Sequence, residues 1–71
     1  MVSVGKRDYN SNITEFYADT ASDLDKLPTL TDKGKDNLYT LNSVGVGSSC
    51  FVISTSEVYM LRGSTNTWEK I

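Results

Sequence analysis

Few residue types in this chain could do chemistry, and their spacing decides most of the cases. Asp23 and Asp25 are the closest thing to paired carboxylates, but both sit where a helix is expected to start. First-turn acids there have an ordinary electrostatic role at the positive end of the helix dipole. Asp32, Asp36 and Asn37 depart from the calcium-loop pattern of alternating oxygen ligands closed by a bidentate Glu. Gly45 and Gly47 lack the third glycine and the following helix of a dinucleotide fingerprint, and no Gly-Lys-Ser/Thr triplet is present to cradle a phosphate. There is no histidine, so the commonest general base at neutral pH and the Ser-His and Cys-His nucleophile pairs are missing. The single cysteine, Cys50, stands in an apolar run without a basic neighbour, as an inert core thiol does. These residues predict no enzyme and no cofactor.

The positions that hold such residues belong to one small domain. The chain has 71 residues, 38% of them hydrophobic, with seven Lys and Arg against nine Asp and Glu. A domain of this size buries only about 60% of its unfolded surface, so burial and chain entropy nearly cancel. The usual external supports are disulfides, a metal or oligomerisation. One cysteine without histidine leaves no internal disulfide and almost no zinc ligands, so oligomerisation is the support expected. A net charge of −2 gives no footprint for nucleic acid. No run nears the roughly 18 apolar residues of a membrane span, and the segment MVSVGKRDYN lacks the apolar region of a secretory signal. The expected partners therefore exclude nucleic acid and membrane. Asn12-Ile13-Thr14 matches the glycosylation triplet without an accompanying export signal.

Charge is unevenly placed. Residues 1–36 hold seven acids and five bases, whereas residues 37–61 hold Glu57 alone. Residues 1–12 are polar and lack periodicity, which predicts an N-terminal arm leading into a single domain over residues 13–71. Ile13–Tyr17 has the residue types of a short strand at a sheet edge. Thr20-Ala21-Ser22-Asp23 opens a short helix bearing Leu24 and Leu27 on one face, and Pro28 ends it. Gly34, in the charged stretch 29–36, is the expected positive-φ residue of a loop. Leu38, Tyr39 and Leu41 fit either a strand or a helical turn.

The C-terminal third is clearer. Ser49–Ser54 and Glu57–Arg62 are β-rich runs at hairpin distance, and Thr67–Ile71 alternates after the turn residues Gly63-Ser64-Thr65-Asn66. The fold class expected is α+β, mainly β, with a C-terminal three-stranded antiparallel meander, one short helix and the polar N-terminal arm. Both faces of the first two meander strands are apolar, and so short a chain has little left to cover the second face. Phe51, Tyr59, Leu61 and Trp68 are the residues expected to form a subunit or partner interface. The aromatics Phe51, Tyr59 and Trp68 offer a lesser alternative, stacking on sugar rings, provided they share an exposed face.

The stretch Gly47-Ser48-Ser49-Cys50-Phe51-Val52-Ile53, running into Glu57-Val58-Tyr59-Met60-Leu61 and closing on Gly63, Asn66, Trp68, Glu69 and Ile71, resembles the meander of short proteins encoded among tailed-bacteriophage virion genes. Phe16–Leu24 with Leu27-Pro28 is similar to the lead-in of the same proteins, so the resemblance covers about two-thirds of the chain. It implies a non-enzymatic virion structural protein of the capsid-decoration, head-fibre or tail-associated kind. Its partners would be itself, as a trimer or dimer, and another virion structural protein, to which the arm would dock. It would be located in the virion, after assembly in the host cytoplasm. The rival is a phage-encoded monomeric inhibitor or regulator of a host protein, since such proteins are also small, acidic and without catalytic residues.

Overall fold

The computed structural model describes residues 1–38 and 40–71. Five strands form one sheet in chain order: β1 (Val2–Arg7), β2 (Thr14–Ala18), β3 (Ser49–Val52), β4 (Glu57–Arg62) and β5 (Thr67–Lys70). All neighbours are antiparallel except β2 and β3, which run parallel. A parallel pair cannot be joined by a tight turn. The connection from β2 to β3 supplies the crossover, and its Leu27, Leu38 and Val44 cover one face of the sheet.

The chain is mainly β, and its C-terminal strands β3, β4 and β5 form the antiparallel meander expected from their residue types. The α component is corrected: the described residues contain no α-helix, only 3-10 helices at Ala21–Lys26 and Asp36–Leu38. The first has six residues between its Thr20 cap and the extended Leu27, which Pro28 keeps out of helical backbone. The Asp23 carboxylate accepts the Thr20 backbone N–H at 3.2 Å, the reciprocal half of a capping box. Leu38 ends the second 3-10 helix, and Tyr39, grouped with it in the sequence reading, lies outside the described residues.

The N-terminal arm is also corrected. Six of its twelve residues are β1, paired with β2 from Val2↔Ala18 to Arg7↔Thr14. Val2 is fully buried in the core. Strand periodicity is broken because a bulge between Val4 and Lys6 inserts Gly5. In consequence β2 is an interior strand, not an edge.

The core lies between the sheet's inner face and the crossover. Val2, Phe16, Ala18, Cys50, Val52 and Leu61 come from the strands, and Leu27, Leu38 and Val44 from the crossover. The edge of Phe16 meets the Trp68 ring at 5.8 Å between centroids and 80° between planes. Polar groups inside are paired: the Thr14 backbone N–H donates to Ser48 Oγ at 3.0 Å, and Ser48 Oγ donates to the Gly45 carbonyl at 2.7 Å. Gly34 has no positive φ; the left-handed residue nearby is Asp36, at φ 50°. Gly34 is instead required by close approach, because a Cβ there would collide with Leu38.

Candidate functional site

The sheet's outer face carries several exposed apolar side chains side by side. Side chains alternate across a strand, so cross-strand partners share a face. Ser3 pairs with Tyr17, Tyr17 with Phe51, and Phe51 with Val58. The Val58 carbonyl accepts the Ile71 backbone N–H at 2.9 Å, which sets Ile71 beside it. The result is a transverse row, Tyr17–Phe51–Val58–Ile71, running over four strands. Tyr17 is 43% exposed, Val58 40% and Ile71 75%, while Phe51 between them is half-buried. Met60 on the adjoining row and Ile53 beyond the end of β3 extend the patch.

Local sequence explains how the row is held. Gly5 at the β1 bulge lets the Tyr17 ring lie over β1, since a Cβ there would run into the ring. Val58, Tyr17 and Phe51 are β-branched or aromatic residues that favour a pleated surface. The neighbouring row, Lys6–Glu15–Ser49–Met60–Glu69, carries the charges. Glu69 there accepts Arg62 Nη2 at 3.2 Å and the Thr65 and Thr67 hydroxyls at 3.0 and 3.1 Å. The face is therefore apolar toward the C-terminal ends of β2 and β3 and polar toward the opposite end.

The four residues expected to form one interface divide between the two faces. Phe51 alone is on the outer face. Tyr59 and Trp68 are half-buried against the core, and Leu61 is 2% exposed within it. Trp68 is further fixed by its Nε1–H, which donates to the Pro28 carbonyl at 2.9 Å. Phe51, Tyr59 and Trp68 thus share no exposed platform, and sugar stacking on those three is set aside. The outer row instead groups Phe51 with Tyr17, Val58 and Ile71, and Met60 adjoins it. The parity of the hairpin was the available signal: Phe51↔Val58 puts Phe51 with the even-numbered residues of β4, away from Tyr59 and Leu61.

The other chemistry-bearing groups are built into the fold. Cys50 is fully buried, and loss of solvation pushes its thiol up to about 11, far from a reactive thiolate at neutral pH. Asp23, nearly buried, accepts the Met1 α-amino group at 2.6 Å and Lys26 Nζ at 3.2 Å. The hydrogen bond from that amino group comes first in holding its carboxyl far below the ordinary carboxylate range, with the Thr20 N–H and Lys26 adding to it. Asp36 pairs with the same lysine at 3.3 Å. Among the described residues no group of three or more His, Cys, Asp or Glu side chains is placed to hold a metal, and no helix is long and apolar enough to cross a membrane. No known family model, curated protein or solved structure matches this chain.

Proposed function

We propose that this chain is a non-enzymatic structural component of a tailed-bacteriophage virion, of the capsid-decoration, head-fibre or tail-associated kind, working as a small homo-oligomer. The observation that carries the oligomer is the uncovered row Tyr17–Phe51–Val58–Ile71. Large contiguous apolar patches on a small protein mark interaction surfaces. Two outer faces stacked about 10 Å apart would make a sandwich from two subunits, giving each copy the second sheet it lacks. The virion assignment is supported by the resemblance of residues 14–28 and 47–71 to short virion proteins.

The outer face also suits the second reading, a monomer that docks on a host protein as an inhibitor. Copy number separates the two. Quantitative mass spectrometry of purified particles should find a decoration or fibre protein at many copies, while absence from particles would overturn the virion reading in favour of the inhibitor. Residues 2–7 are an edge strand of the sheet, so docking of a free N-terminal arm on another virion protein forms no part of the proposal.

A further inference from the structure

Away from the outer row, on the inner side of the sheet, Arg7 borders an open hollow of about 440 Å³ shared with Tyr9, Asn12, Thr40, Leu41, Asn42 and Ser43. Its guanidinium is held by neutral acceptors. Nη1 donates to Thr14 Oγ1 at 3.1 Å, and Nη2 donates to Asn12 Oδ1 at 3.2 Å and to the Ser43 carbonyl at 3.3 Å. The Tyr9 ring stands 5.9 Å from its central carbon. Among the described residues no carboxylate lies within ion-pairing distance of Arg7. The neighbouring Asp8 is committed to its own turn, where its two oxygens accept the Asn10 N–H at 3.0 Å and the Ser11 hydroxyl at 2.9 Å.

A guanidinium fixed in place, with two of its five N–H donors still uncommitted and its charge uncompensated, is pre-organised for an anion. The rest of the lining is neutral: apart from the apolar Leu41 it consists of groups that donate and accept. Because Asn12 Oδ1 is taken by Arg7, its amide hydrogens remain as donors. Asn42 offers both amide functions, and Thr40 and Tyr9 offer hydroxyls. Tyr9 is 84% exposed, so its ring is available to a ligand. A carboxylate alone would use the arginine and leave this lining idle. A sugar ring bearing a carboxylate would use all of it, with acid on cation, hydroxyls on amides and hydroxyls, and the C–H face on the tyrosine. The hollow is open, which admits a unit inside a polymer as well as a chain end.

We propose that this hollow binds a uronic-acid unit of an acidic polysaccharide, with the carboxylate on Arg7 and the sugar face on Tyr9. The inference is independent of oligomeric state and of the virion reading. The test is a titration of the full, isotope-labelled chain with oligogalacturonate, followed by NMR, with a neutral glucose oligomer of equal length and inorganic phosphate as comparisons. Saturable shifts should appear at the backbone of Arg7 and Tyr9 and at the side-chain amides of Asn12 and Asn42. The neutral oligomer and phosphate should each bind about tenfold more weakly, since each lacks one half of the recognition. Tyr9→Ala and Asn42→Ala, both at exposed positions, should each weaken oligogalacturonate binding about fivefold while leaving distant resonances in place. Absence of saturable shifts with oligogalacturonate would overturn the proposal. So would equal binding of the neutral oligomer or of phosphate, or unchanged affinity in both variants.

Discussion

The indole N–H of Trp68 donates to the carbonyl oxygen of Pro28 at 2.9 Å, joining the last strand to the residue that ends the first 3-10 helix, 40 positions away. One bond thereby couples the free edge of the meander to the crossover that covers the core. Beside it the Asn66 side-chain oxygen accepts the Leu30 N–H at 2.8 Å, and its amide donates to Thr31 Oγ1 at 3.1 Å. Edge strand and crossover are stitched at adjacent points.

Trp68→Phe keeps the aromatic contact with Phe16 and removes the donor, leaving the Pro28 carbonyl without this partner. The variant should be less stable by about 1 to 2 kcal/mol, read as a lower urea midpoint with an unchanged slope.

Ser56 and Asn66 close the two hairpin turns in the same left-handed conformation, at φ 56° and 55°. Ser56 is exposed there, so Ser56→Gly should raise stability by about 0.5 to 1 kcal/mol by relieving the backbone. Asn66→Gly makes the same backbone change but deletes two hydrogen bonds to the crossover, and should lower stability by about 1 kcal/mol or more. Thermal melts of the two variants should therefore move in opposite directions.

Asp23 sets the acid limb of stability. Its folded carboxyl titrates below the unfolded value near 3.8, so its contribution is complete above that value and is lost as pH falls through the folded one. The Met1 amino group is shifted upward from 8.0, first by the Asp23 hydrogen bond, so its contribution is complete below 8.0 and is lost as pH rises through the folded value. Melting temperature measured from pH 2 to pH 10 should fall at both ends, and Asp23→Asn should flatten both limbs while lowering the plateau. Limbs unchanged in the variant would assign the pH dependence to other groups.

Deleting residues 1–7 should unfold the chain, because it removes β1 and the buried Val2. Val2→Ala in the intact chain should cost about 1 to 3 kcal/mol, from lost burial and the cavity left behind. A truncated chain that kept its near-ultraviolet circular dichroism would show β1 to be dispensable.

The meander was legible from sequence because β-branched and aromatic runs, turn residues and hairpin distances all agreed over residues 49–71. β1 was not, since the Gly5 bulge breaks the alternation of Val2 and Val4, and the strand is held by pairing with β2 and the burial of Val2 more than by local propensity. The helix start at Thr20 was read correctly, but six residues before Pro28 closed as a 3-10 helix. The candidate face was legible only in outline. That an apolar face would be left over followed from chain length and composition, whereas which residues occupy it depended on register. Tyr17 entered through the parallel β2–β3 pairing, and no local pattern in the sequence announces a parallel partner thirty residues away.

The central claim is that the outer row is a subunit interface, and light scattering on a sizing column across a wide concentration range tests it most directly, with Val58→Glu run beside the unmodified chain. Val58 is 40% exposed on the outer face, so the substitution spares the core while placing a charge in the row. The account predicts a dimer or trimer for the unmodified chain and a folded monomer for Val58→Glu. A strict monomer at every concentration, or an oligomer that the charge leaves intact, would contradict it.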